Sequence, residues 1–136
     1  MSRIINPNSA GKQRNKLTRK IALAVRELAQ KKAIDNESKD IAAFISISLH
    51  EVAETIEPTV EAWEKRNYWV KADKFRMEWR WAEKYSTEMR AALLADDWAS
   101  VANVAMQTAT KLQKIKISPR HRLGRPWTGS WRKLEK

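Results

Sequence analysis

Apolar residues recur along this chain at three- and four-residue steps, the spacing that puts side chains on one face of an α-helix. Leu17, Ile21, Ala24, Val25 and Leu28 make the first such stripe. It belongs to a segment running from about Ser9, a suitable N-cap, to Lys32. A second segment, from Asp35–Ser38 to about Arg66, carries Ile41, Ile45, Ser48, Val52, Ile56, Val60 and Trp63 on one face. Pro58 interrupts it, yet the apolar phase continues on both sides, so the pattern predicts a kink rather than a stop. A third segment, Val70 to Ala95, is apolar on two sides. Val70, Met77, Trp81 and Tyr85 form one side, and Phe75, Trp79, Ala82, Met89 and Leu93 the other. Such a helix is either central or holds a second interface. A fourth, capped by Asp96 or Asp97 and reaching Lys114, turns Trp98, Val101, Ala102, Ala105, Ala109 and Leu112 inward.

No stretch alternates apolar and polar residues as a half-buried strand does. The expected fold is all-α: an antiparallel four-helix bundle over residues 1–114 with a kinked second helix. An irregular basic tail over residues 115–136 then packs on the bundle or extends from it. The length of 136 residues suits one modest core. No apolar run approaches a membrane span, and the first sixteen residues lack a secretory h-region. With no Cys, there is neither a disulfide scaffold nor a thiolate metal site. The expected setting is cytoplasmic.

Charge changes the picture more than composition does. The formal net charge is +11, but it is not evenly spread. Residues 1–33 and 111–136 each carry nine Lys or Arg against one acid, around an acidic stretch 34–67 and a balanced stretch 68–110. Segregated positive charge attracts polyanions.

Catalytic chemistry is poorly represented. Gly11-Lys12 lacks the first Gly, the following Ser or Thr and the preceding strand of a phosphate-binding loop. His50, Glu54, Glu57 and Glu61 share one helical face, which reads as a solvated acidic face. A carboxylate-bridged metal site would need a Glu-x-x-His pair that no segment has. No nucleophile elbow is present. Neither an enzyme nor a bound cofactor or metal is expected.

Two features fit an anionic partner. Lys12, Lys16, Arg19, Lys20 and Arg26 lie around the outside of the first helix, where Glu27 is the one acid. In the tail, Arg120, Arg122, Arg125, Arg132 and Lys133 interleave with Trp127 and Trp131. Arginine forks bind phosphate and indole rings stack on unpaired bases. Gly124-Arg125-Pro126 resembles part of the AT-hook, a minor-groove motif, but Leu123 stands where the hook has Arg. The expectation is a nucleic-acid-binding protein that meets the phosphate backbone, with RNA or single strands favoured over duplex DNA. The alternative is a small subunit of an acidic protein assembly, or a homo-oligomer, docking through Phe75 and Trp79 of the third segment.

Overall fold

The computed structural model describes residues 7–135. The chain is all-α, and no strand occurs among the described residues. The elements are α1 (Pro7–Gln30), α2 (Asn36–Glu54), α3 (Ile56–Lys65), α4 (Trp69–Leu94), α5 (Trp98–Lys111) and α6 (Ser130–Glu135). The second segment is indeed bent, but at Thr55, three residues before Pro58. Pro58 sits in the first turn of α3, where its missing N–H costs nothing. The helix therefore breaks one turn upstream. Thr55 N–H turns back to Val52 O at 3.0 Å, and its hydroxyl donates to the same carbonyl at 2.6 Å. Thr55 is fully buried there.

α2 is the central element, packed by α1, α4 and α6. Its Ile41, Ile45, Leu49 and Val52 are fully buried, and Ala42 and Ala43 widen the buried arc to both flanks. Against α4 the approach is close because both helices present serine. Ser46 Oγ donates to Ser86 O at 2.8 Å, and Ser86 Oγ donates to Ser46 O at 2.6 Å. Small residues permit this contact, and the reciprocal bonds satisfy both hydroxyls in a dry interface. Ser86→Ala should lower stability by about 1 kcal/mol in denaturant unfolding, the usual net worth of such a bond.

α1 and α2 run in opposite directions. At one end Lys31 Nζ bonds Asp35 and Glu37, at 2.9 and 2.8 Å. Asp35 also closes a capping box on α2 by accepting from Ser38 N–H at 2.8 Å. The Lys31 ammonium first, then the Ser38 N–H, hold the Asp35 carboxyl down at a pKa of about 2. A depressed native pKa means that the stabilisation is complete above the unfolded value and disappears as pH falls through the native one. Thermal stability should therefore decline from about pH 4 towards pH 2. Asp35→Ala should remove that part of the decline, and a melt series across this range checks it.

The tail is less irregular than expected. Its last residues form α6, and Trp127 and Leu134 belong to the same core cluster as Ile21, Leu49 and Met89. Asp40 on α2 caps α6, accepting from Gly129 N–H at 3.2 Å and Trp131 N–H at 2.9 Å. Gly129, at φ +80°, supplies the left-handed backbone that this turn needs. No helix among the described residues is long and apolar enough to cross a membrane.

Candidate functional site

The cations of α1 sit as the periodicity places them. At about 100° per residue, Lys12, Lys16, Arg19 and Arg26 share an arc of about 80° on the side away from Ile21. All four are exposed, and Lys20 is half-buried at the edge of the arc. None of the five has an ion-pair partner among the described residues. The lysines and arginines that do hold an ion pair among the described residues lie elsewhere. Lys31 holds Asp35 and Glu37, Arg76 holds Glu57, Glu64 and Asp73, Lys84 faces Glu88, and Arg125 binds Glu37.

Leu23 lies on the same side as Lys16 and Arg19, yet it is 1% exposed and part of the main core. α5 starts near the C-terminal end of α1, where Trp98 and Val101 line a cleft with Leu28 and Lys31, and it packs against α1. Residues 112–126 return to Glu37, and their Ile115, Ile117 and Leu123 pack on the main core. Lys116, Arg120 and Arg122 of this segment are exposed.

Several expected contact residues are engaged elsewhere. Trp127 is 3% exposed, so neither ring face is open to a base. Its Nε1 donates to Glu37 Oε2 at 3.3 Å. Arg125 binds the same carboxylate, which Lys31, Trp127 and Arg125 together hold below the usual glutamate range. Gly124-Arg125-Pro126 is thus a brace onto α2. Trp131 is half-buried with the Lys39 ammonium 5.7 Å from its ring centre. Arg132 and Lys133 are exposed on α6.

Phe75 and Trp79 also turn inward. Phe75 meets Trp63 edge-on at 5.0 Å, Trp79 stacks on Trp81 at 5.7 Å, and both pack on Ile56, Val60 and Ala72. The Arg14 guanidinium lies over both rings, at 4.8 and 5.6 Å, and donates to Thr55 O and Oγ1 at 3.3 and 3.1 Å. Burial lowers its pKa while Glu78 opposes the shift. Arg14 ties α1 to the bend and is structural. On the other side of α4, Trp81 and Tyr85 pack on the main core, while Val70 is 69% and Met77 65% exposed.

The acidic face divides at the bend. His50 Nδ1 lies 2.8 Å from Glu83 and its Nε2 3.7 Å from Glu54, whereas Glu57 turns to Arg76. No three His, Asp or Glu side chains converge on a metal-sized point among the described residues.

One surface had no counterpart in the expected set. Tyr68 (52% exposed) and Trp69 (56%) project with Val70 from the α3–α4 corner. Asn67, at φ +64°, makes the turn. The signal was present in the sequence as two adjacent aromatics between Lys65-Arg66 and Lys71, but it reads as a connection when helices alone are sought. Comparison with protein-family models, with curated proteins and with solved structures finds no match to this chain.

Proposed function

We propose that this protein is a non-enzymatic nucleic-acid-binding module. In this reading an antiparallel four-helix body made of α1, the bent α2–α3 pair, α4 and α5 presents cations to a phosphate backbone. The observation that carries the proposal is the row Lys12, Lys16, Arg19 and Arg26, exposed on one side of α1 with no carboxylate engaged. A row of one sign creates a local field that attracts polyanions. Arg120 and Arg122, exposed in the segment that returns to Glu37, add to the positive surface charge. Attraction of this kind is electrostatic and independent of sequence, because the row offers point charges rather than a base-reading helix.

The test is binding of labelled RNA and DNA across a salt series. Four phosphate contacts give a log–log slope of about −3 to −4 with duplex, and less with single strands. Salt-insensitive binding, or none to any nucleic acid, overturns the reading. Exposed Val70 and Met77 support a second reading, a small subunit docking by α4. It predicts self-association or a partner-dependent fold in sedimentation, and a stable monomer with no partner opposes it.

A further inference from the structure

The α3–α4 corner has two properties that do not usually coincide on a surface left to water. It exposes large apolar groups next to each other, and it sets them among cations that hold no ion pair. Tyr68, Trp69 and Val70 are each at least half exposed. Two shallow concavities flank Val70. One is lined by Asn67, Tyr68, Trp69 and Lys71, the other by Trp63, Lys71, Lys74 and Phe75, with Glu78 at its edge. The Lys71 ammonium lies 4.5 Å from the Trp63 ring centre, bridging the two. Arg76 absorbs Glu57, Glu64 and Asp73. Lys65, Arg66, Lys71 and Lys74 have no ion-pair partner among the described residues.

We infer that this corner is a stacking platform for unpaired bases of a single-stranded nucleic acid. It rests on the nucleic-acid reading above and adds to it the preference for a single strand. Flat rings beside cations match an unpaired nucleotide in both of its parts, a π-face and a phosphate. A duplex hides its base faces and gains only from the charge. Arg14 ties α1 to Phe75 and Trp79, so the corner and the α1 cations stand on one rigid frame. The bases are held by stacking, not by edge hydrogen bonds, so the platform is tolerant of sequence.

The experiment compares Tyr68→Ala, Trp69→Ala and their double variant with the unaltered protein, all at one salt concentration. The probes are labelled oligothymidylate, a labelled mixed-sequence duplex, and vesicles of phosphatidylserine and phosphatidylcholine. Both side chains are half exposed, so the variants should keep their melting temperature. Trp69→Ala should weaken oligothymidylate binding roughly ten-fold and the double variant more, on the scale of one or two lost stacks. Duplex affinity should change by less than about two-fold, since the charge is untouched. Trp69→Phe should restore most of the loss. Equal losses on strand and duplex, or no loss on either, overturn the platform and leave the α1 reading standing. Vesicle binding that Trp69→Ala abolishes while oligothymidylate binding is unchanged overturns it in favour of a lipid surface. No binding of either nucleic acid by the unaltered protein overturns both readings.

Discussion

Replacing Lys12, Lys16, Arg19 and Arg26 together by Ser should nearly abolish nucleic-acid binding while leaving the fold intact. Counterion release makes the size calculable. Each neutralised phosphate contributes about 0.7–0.9 of a decade in affinity at 0.1 M salt, so four lost contacts amount to roughly three decades. The salt slope should flatten by about 3 in the same series, which separates lost contacts from a misfolded protein. Stability should change little, because all four side chains are exposed and engage no carboxylate. Relief of mutual repulsion between them acts in the stabilising direction. The control is Lys31→Ser, which removes the same charge from a cation already engaged by Asp35 and Glu37. It should cost stability and hardly touch binding. If the quadruple variant binds as well as the parent, the α1 row is a solvated face and the proposed function fails with it.

The helical skeleton was legible because each helix buries a stripe at its own period. Ile21, Ile41, Ile45, Val52, Met89 and Val101 are among the most buried side chains, and all stand in the predicted stripes. Asp97 caps α5 as expected, accepting from Ser100 N–H at 3.2 Å. What periodicity does not encode is how far along each apolar side of α4 the packing extends. Arg14 covers Phe75 and Trp79 on one side, Trp81 and Tyr85 pack on the main core from the other, and Val70 and Met77 are left exposed. The position of the bend likewise followed from where Pro58 costs least, in a first turn, rather than from where Pro58 is.

Of the candidate site, the local part was readable and the long-range part was not. A cationic row on one helix is a property of spacing alone, and α1 retains it. Leu23 belongs to no apolar stripe on α1, and its burial in the main core is a tertiary effect. Tail arginines and tryptophans look equivalent in sequence, but Glu37 separates them. It engages Arg125 and Trp127 and leaves Arg120 and Arg122 exposed. The free aromatics are instead Tyr68 and Trp69, in a turn whose geometry hangs on one left-handed residue, Asn67.

Trp127→Ala should be the most destabilising single change in the C-terminal region, at about 3–5 kcal/mol, the range for emptying a buried tryptophan site. The indole is 3% exposed and lies in the core cluster with Leu134, Ile21 and Leu49. Two effects add. A cavity opens where the ring was, and the remaining tail has one anchor fewer on α2. Glu37 keeps Lys31 and Arg125, so no unpaired charge is buried, and the hydrogen bond itself contributes about 1 kcal/mol or less. Trp127→Phe should accordingly recover most of the loss. At a chain of this size each kcal/mol moves the melting temperature by about 4 °C, so the alanine variant should melt some 12–20 °C lower. The result decides what the tail is. An appendage that merely carries charge would lose its Trp with no thermal consequence. A tail that completes the core makes folding and the placement of Arg120 and Arg122 a single event, so the alanine variant should also show weaker nucleic-acid binding near its lowered melting temperature and parental binding well below it.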